Sequence, residues 1–526
     1  MGSVSNDSAP PSFWQAWLWW LLPALAGLAL ILYFVDPFIG DWDGMDYTVL
    51  SLAGYPSSMA LGRNLFIFEN HLLYQIAHAI FNVQPEHAYL VFKYVVVAQA
   101  VLAIIACWLL ARNFSKSIHT ATLAALFVAF SPVFVLYGGQ VMTDVPSVLL
   151  LCVALLVHYR GVQQERVWLV LLGAGLLGLG VNLRETMGFY APWLIAAPFC
   201  FGWRFRRREI LIVALSFLIF FLCAAGWFAF WFITDLNYRS LWLGWRESMR
   251  METARHPITL HNLLPYFAFL FVSAPLVFLT LPLALWNEWR ERKVSPLLLL
   301  AAIGLFADLL LFLNYSTSVN WRYFLTGLPA IAPLSADFLW RVLNRRFHSP
   351  RFAFATCCVA VLLPALIFGL LIQPVSKQLL ERRAMSKEYR HQLANVPRDA
   401  IMISGGQTVA VNYWQAIGAG DWKTIGTGSG WPGANNLVPL IEDYLKQNRR
   451  VFLDADPRLW IPCGWQLDEI PSIVALQERF SFRRVADTIY EVRPRGEAGA
   501  SDSPNLEKLR PENRPEDTKR CTSISS

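Results

Sequence analysis

Long apolar runs broken by short charged segments set the rhythm of this chain. A first run, from about Phe13 to Val35, is followed by others at about Ala88–Leu110, Thr120–Tyr137, Met142–Tyr159, Val167–Leu183, Gly188–Gly202, Ile210–Thr234, Leu263–Trp286, Pro296–Leu313, Tyr323–Trp340 and Phe352–Ile372. Runs of this kind suit the hydrocarbon core of a bilayer, which takes roughly 20 residues of helix to cross. The pattern therefore predicts an α-helical polytopic membrane protein with about eleven transmembrane helices.

Two regions depart from that rhythm. Residues 36–87 are too polar for a simple crossing, and their amphipathic runs near Thr48–Leu61 and His71–Phe81 predict short helices lying on the membrane surface. Beyond the last apolar run, Ala400–Ser404 and Val451–Asp454 read as short buried strands, Asn436–Gln447 as an amphipathic helix and Val485–Val492 as a closing strand. Together they predict a small α/β domain. Its Ser404-Gly405-Gly406-Gln407 lacks the Lys-Ser/Thr of a phosphate-cradling loop and reads as a turn. From Gly496 onward Pro, Glu, Arg, Asp and Ser dominate, which predicts a disordered tail. The expected organisation is a transmembrane domain over 1–374 with its loop at 36–87, an α/β domain over 375–495 and a tail over 496–526.

Composition agrees: 56% of the 526 residues are apolar and only 15% are charged, against roughly a quarter charged in soluble proteins. The formal charge of +7 does not point to nucleic acid, because the basic residues fall between apolar runs and not on one face. Arg112/Lys116, Arg160/Arg166, Arg204/Arg206/Arg207/Arg208, Arg290/Arg292/Lys293 and Arg341/Arg345/Arg346/Arg351 lie on alternate sides of consecutive runs, so one face carries every cluster. That face should be cytoplasmic. It places the N-terminus inside, and Asp41, Asp43, the loop at Asp235–Asn262 and the C-terminal domain outside a cell membrane. Met1–Pro11 lacks the basic n-region of a cleaved signal, so the first run is expected to be retained. Six cysteines sit in apolar runs as small hydrophobes; Cys463 and Cys521 stand in polar context, with a disulfide between them disfavoured.

The candidate chemistry starts at Gly40-Asp41-Trp42-Asp43-Gly44-Met45-Asp46-Tyr47, which sets three carboxylates just beyond the first run. Outside the lipid they can stay ionised and serve as a base or as metal ligands. The outer loop at Asp235–Asn262 carries Arg239, Arg246, Arg250 and Arg255 beside Trp242 and Trp245. These cations either meet an anionic lipid headgroup or anchor an interfacial helix.

Several short motifs occur in order. Asp43-Gly44-Met45-Asp46-Tyr47 is an Asp followed four residues later by Tyr; Phe68-Glu69-Asn70-His71 leads into Leu73-Tyr74; Val141-Met142-Thr143-Asp144-Val145-Pro146 opens a later run; and Arg322-Tyr323 precedes Leu328-Pro329-Ala330. In that order they resemble the polytopic glycosyltransferases of the GT-C type, in particular the lipid A aminoarabinose transferase and protein O-mannosyltransferase branch. The likeness covers about Phe13 to Trp340.

The resemblance implies transfer of a sugar from a polyprenyl-phosphate donor to a glycan, lipid or protein acceptor at the outer face, usually with inversion. Asp43 occupies the position of the proposed base, with Asp41 beside it. Arg184, Arg322, Arg246, Arg250 and His71 are candidates for gripping the donor phosphate, and Tyr47, Glu69, Asn70, Asp144 and Glu185 for contacting substrate. Structural readings stand beside these: Arg322 as a membrane-edge anchor, Arg184-Glu185 as a local ion pair, Asp144 as a helix-dipole partner and His71 as a hydrogen-bonded helix residue. Asn70 departs from the branch's phosphate-binding Lys, so the aminoarabinose substrate does not carry over. No cofactor is certain, and Asp41 and Asp43 are too few to choose a divalent metal. A transporter of lipid-linked sugars or small solutes is the alternative, although no internal repeat supports it.

Overall fold

The computed structural model describes residues 13–35, 42–56, 63–255, 263–291, 295–314, 321–346, 350–405, 408–425, 437–460, 467, 469–496 and 503–517. Helix dominates up to residue 393. The helices in order are α1 (Phe13–Phe34), α2 (Trp42–Ala53), α3 (Asn64–Phe81), α4 (Ala88–Ser115), α5 (Ile118–Ala129), α6 (Pro132–Tyr137), α7 (Asp144–Gln163), α8 (Val167–Val181), α9 (Trp193–Cys200) and α10 (Arg207–Thr234). They continue as α11 (Leu236–Arg255), α12 (Leu263–Ser273), α13 (Pro275–Glu291), α14 (Pro296–Asn314), α15 (Leu328–Arg346) and α16 (Pro350–Leu393).

Three described helical stretches, Pro85–Ser115, Asp144–Gln163 and Arg207–Thr234, are long and apolar enough to cross a membrane. Shorter apolar helices lie at Leu18–Phe34, Ile118–Ala129, Val167–Val181, Pro296–Leu311 and Leu362–Gln373. Three of the expected continuous runs are broken at proline, among them Gly188–Gly202, where a 3-10 turn ends at Tyr190 and α9 begins after Pro192. Thr120–Tyr137 divides into α5 and α6 where Ser131 caps the second helix, its Oγ accepting from Phe134 N at 3.2 Å with Pro132 following. Leu263–Trp286 divides into α12 and α13 at Ala274-Pro275, where the ring of a proline disfavours helix in the residue before it.

One core runs through α4, α5, α7, α8 and α15. Small residues set its spacing: a Cβ on Gly173 of α8 would lie 2.6 Å from the backbone nitrogen of His158 on α7, so only glycine lets the two helices approach this closely. Outward faces keep large apolar side chains, such as Phe221, Leu222, Phe230 and Ile233 on α10, exposed. That is how a helix meets lipid.

The surface helices begin earlier than their periodicity predicts. α2 starts at Trp42 and α3 at Asn64, so Asp43 and Asp46 ride on a helix and not on a loop. Residues 57–61 of the first expected run lie outside the described residues.

Past α16 the chain builds a five-stranded sheet from β1 (Ile401–Ile403), β2 (Lys423–Ile425), β3 (Val451–Asp454), β4 (Phe480–Arg484) and β5 (Ile489–Pro494), in the order β2-β1-β3-β5-β4. β1 pairs in parallel with β2 and β3, while β5 runs antiparallel to both β3 and β4. Helices α17 (Thr408–Ala416), α18 (Leu437–Lys446) and α19 (Ile470–Arg479) complete the unit. The single closing strand of the sequence reading is in fact a hairpin, and β2 went unseen because its Lys423-Thr424-Ile425 has no apolar pattern to read. The tail also differs from expectation. Over 503–517 it forms short 3-10 turns that bury Leu506 and Leu509 in the core of this unit; two leucines suffice to hold a segment whose composition suggests disorder. Cys463 and Cys521 lie outside the described residues.

α16 has 44 residues and so extends about 66 Å at roughly 1.5 Å per residue. Its last turns and α17 enclose a second core in which Tyr389, Leu393, Trp414 and Trp422 pack around Met45 of α2, with Val49 alongside. The C-terminal unit thus seats directly on the helix that carries the acidic motif.

Candidate active site

α2 presents two faces. Met45 and Val49 turn to the C-terminal unit, while Asp43, Asp46 and Tyr47 belong to a cluster of charged groups. Tyr47 is 1% exposed and meets Phe66 of α3 edge-on at 5.7 Å. Around its hydroxyl converge the charges of Arg63, Asp43, Arg322 and Asp144, and burial holds the phenol well above its usual range.

Three cations organise the cluster. Arg322, in a 3-10 turn over Trp321–Thr326, is 7% exposed, and its Nη2 lies 2.5 Å from Asp43 Oδ2. Its Nη1 is 3.9 Å from the Sδ of Met142, in the Met-x-Asp motif. Arg184, on extended backbone after α8, sets Nη1 2.5 Å from Oδ1 of the fully buried Asp144 at the start of α7. The two guanidiniums share one ring, that of Tyr323, at 4.9 Å for Arg184 and 5.4 Å for Arg322, and Arg322 also lies 5.7 Å from the ring of Tyr137. Arg63 stands just before α3 at φ 87°, a left-handed conformation that costs a non-glycine residue roughly 1–2 kcal/mol. There it reaches over Tyr47 at 5.7 Å and comes within 4.0 Å of Glu185. Asp46 is pushed up to about 6, chiefly by burial and then by the charge of Asp43, with Arg63 pulling it back.

Of the residues singled out by sequence, the structure gathers Asp43, Tyr47, Asp144, Arg184, Arg322 and Glu185. The local pair between Arg184 and Glu185 does not form, because the chain turns between them and each finds a partner elsewhere, Asp144 for one and Arg63 for the other. The edge-anchor reading of Arg322 fails on its burial and on its contact with Asp43. His71 bonds through Nδ1 to the carbonyl of Ser51 at 2.7 Å, and its ring abuts Gly54. Glu69 accepts from Gln99 at 2.6 Å, and burial raises it. Asn70 is fully buried, with neither amide atom hydrogen-bonded among the described residues.

Arg250 and Arg246 stay on α11: Arg250 forks onto Glu247 at 2.6 Å, with its side chain 76% exposed, and Arg246 lies 5.9 Å from the ring of Trp242. Neither meets the Asp43 cluster among the described residues. Asp41 lies outside the described residues. Among those described, no group of three or more His, Cys, Asp or Glu gathers as a metal-binding set.

Sequence reasoning missed Arg63, Tyr137 and Tyr323 as members of the cluster. Tyr323 adjoins Arg322 inside a motif already noted, which was a usable signal. Arg63 follows no pattern and is placed only by the backbone.

Residues 71–227 match a family model described as dolichyl-phosphate-mannose-protein mannosyltransferase. No curated protein matches the chain by sequence. The fold is similar to ArnT from Cupriavidus metallidurans, solved bound to undecaprenyl phosphate, at 12% identity and TM-score 0.57, covering 91% of this chain and 98% of that one. It is also similar to the oligosaccharyltransferase AglB from Archaeoglobus fulgidus, solved with an inhibitory peptide and a dolichol-phosphate, at 14% identity and TM-score 0.50, covering 95% and 77%. A second structure of the Archaeoglobus fulgidus oligosaccharyltransferase, tethered to an acceptor peptide, gives 12% identity, TM-score 0.52 and coverage of 96% and 78%. The chain thus shares the fold of ArnT and AglB over most of its length and matches the mannosyltransferase family model over 71–227.

Proposed function

We propose that the protein moves a sugar from a polyprenyl-phosphate donor to an acceptor at the extracytoplasmic face, with Asp43 as the proton acceptor. The observation that carries this reading is the direct contact of Asp43 with Arg322, beside a second guanidinium on the same tyrosine ring. A glycosyl transfer that expels phosphate needs a carboxylate within reach of the attacking hydroxyl and pre-oriented cations where the departing phosphate gains charge. Arg322 and Arg184 meet the second need through their planar donor forks. Tyr47, Arg63 and Asp46 belong to the same cluster. A phosphate is already a good leaving group, so no general acid is called for. The undecaprenyl phosphate of the ArnT structure and the dolichol-phosphate of the AglB structure support a lipid phosphate as the donor carrier.

In this reading, about eleven spans cross a cell membrane with the N-terminus inside. The region 1–374 forms the membrane domain, and 375–495 an outer α/β domain on which the 503–517 segment folds. The transporter alternative draws no support from the family or fold matches.

The decisive experiment is transfer by purified protein from a polyprenyl-phosphate-linked sugar, read as release of polyprenyl phosphate. Asp43→Asn should lower the rate about 100-fold or more while the protein stays folded. Near-normal turnover in that variant would remove Asp43 as the base.

A further inference from the structure

The C-terminal unit and the end of the first outer segment enclose a cavity of about 670 Å3, separate from the Asp43 cluster. That is within the roughly 300–1,000 Å3 typical of ligand pockets. Its walls come from the last turns of α16, from α17 and the residues after it, and from residues 86–89 at the entry to α4. Tyr413, Trp414 and Trp422 line it and are at most 6% exposed, with Tyr89 opposite. The indole N–H groups of Trp414 and Trp422 have no hydrogen-bond partner among the described residues.

Arg390 and Arg398 stand at its exposed edge. Burial raises the phenol of Tyr413, and the charge of Arg390 pulls it back. Elsewhere in the same unit several arginines are matched to acids: Arg450, Arg483 and Arg493 to Glu491, Arg458 to Asp456 and Glu388, Arg510 to Glu507. Among the described residues neither Arg390 nor Arg398 has such a carboxylate. The one acid in the lining, Glu86, faces His87 at 3.6 Å. The cavity therefore sets aromatic rings beneath a net positive charge, two arginines against one glutamate.

We propose that this cavity binds an anionic glycan, a sugar ring against the partly exposed ring of Tyr89 over a packed floor of Tyr413, Trp414 and Trp422, and a carboxylate or phosphate substituent held by Arg390 and Arg398. Aromatic faces suit the C–H faces of sugar rings, and guanidinium forks suit planar or tetrahedral anions. α17, which carries Tyr413 and Trp414, packs against α2 two residues from Asp43, so the bound glycan lies across a single helix pair from the reacting group. Its role as the acceptor rests on the transferase reading; the binding site itself does not.

Calorimetric titration of the full-length protein in detergent tests the site without turnover. The probes are a heparin-derived tetrasaccharide (anionic), chitotetraose (neutral) and inorganic tripolyphosphate (charge without rings). The tetrasaccharide should bind at least tenfold more tightly than either of the others. Arg390→Gln/Arg398→Gln should weaken it at least tenfold, and Ala394→Trp, which fills the mouth without removing a core contact, should abolish it. Tripolyphosphate binding as tightly as the tetrasaccharide, or unchanged tetrasaccharide binding in the folded Ala394→Trp protein, overturns the proposal, as does no binding by the unaltered chain. In a transfer assay the arginine pair should raise the acceptor KM and leave kcat unchanged. Oligosaccharide binding without transfer from any lipid donor would sink the transferase reading alone.

Discussion

Arg322 Nη2 and Asp43 Oδ2 meet at 2.5 Å, joining two residues 279 positions apart in sequence. The cation assigned to the departing phosphate is thus the resting partner of the carboxylate assigned to the acceptor proton. A donor phosphate entering beside Arg322 competes with Asp43 for that guanidinium, and whatever it displaces leaves the carboxylate freer to accept a proton. Under the proposed roles, binding of donor and readiness of the base would be linked through one side chain.

Arg322→Lys keeps the charge and loses the fork, so it should retain about a tenth of the activity, whereas Arg322→Gln should lose about 100-fold or more. Steady-state transfer with varied donor checks this, the Gln variant showing both a raised donor KM and a lowered kcat. Equal rates in the two variants would mean that charge and shape at this position are irrelevant.

Asp144 and Arg184 form a pair buried on both sides. Breaking it from one side strands a charge, which typically costs 3–5 kcal/mol, so Asp144→Asn and Arg184→Gln should each lower the melting temperature markedly. The double variant should be less destabilised than the sum of the two. Additive losses in thermal unfolding would show that the two side chains do not depend on each other.

Asp46 gives stability a pH dependence. The folded protein holds its proton to about pH 6, while the unfolded chain releases it near 3.8. The native state therefore binds more protons across that interval, and stability falls as pH rises through it and levels off above. The shift corresponds to about 2–3 kcal/mol. Asp46→Asn removes the effect, so its advantage over the unaltered protein in denaturant midpoint should grow from pH 4 to pH 7. Parallel curves would count against the raised value.

Met45 is fully buried between α2 and the C-terminal unit. Met45→Ala should cost about 2–5 kcal/mol and lower transfer, although its side chain belongs to the face turned from the charged cluster. Hydrogen exchange should quicken in α2 and α17 together; quickening in only one of them would show that the two helices are held independently.

Much of the fold was legible because membrane spans announce themselves by length and apolarity, and α4, α7 and α10 fall where the runs predict them. What escaped was set by tertiary packing. Ser131-Pro132 and Ala274-Pro275 interrupt runs whose average apolarity hides the break. β2 is too short and too mixed to register, and Leu506 and Leu509 order a segment of polar composition. In the cluster, Asp43, Arg322 and Asp144 were legible as motif residues and Arg184 as a candidate cation, but their pairing was not: sequence adjacency suggested Arg184 with Glu185, and the fold chose Asp144 and Arg63. No periodicity marks a residue such as Arg63, which reaches its place through a left-handed backbone.

Because α2 is shared between the helical bundle and the C-terminal sheet unit, neither module holds Asp43 on its own. A chimera that exchanged everything after α16 for the equivalent module of a distant relative would have to bring matching residues at 45 and 49 with it, or the helix bearing Asp43 would lose its seat. Substrate range in such proteins should therefore diversify by paired changes on both sides of that seam, and not by swapping the terminal module as an interchangeable cassette.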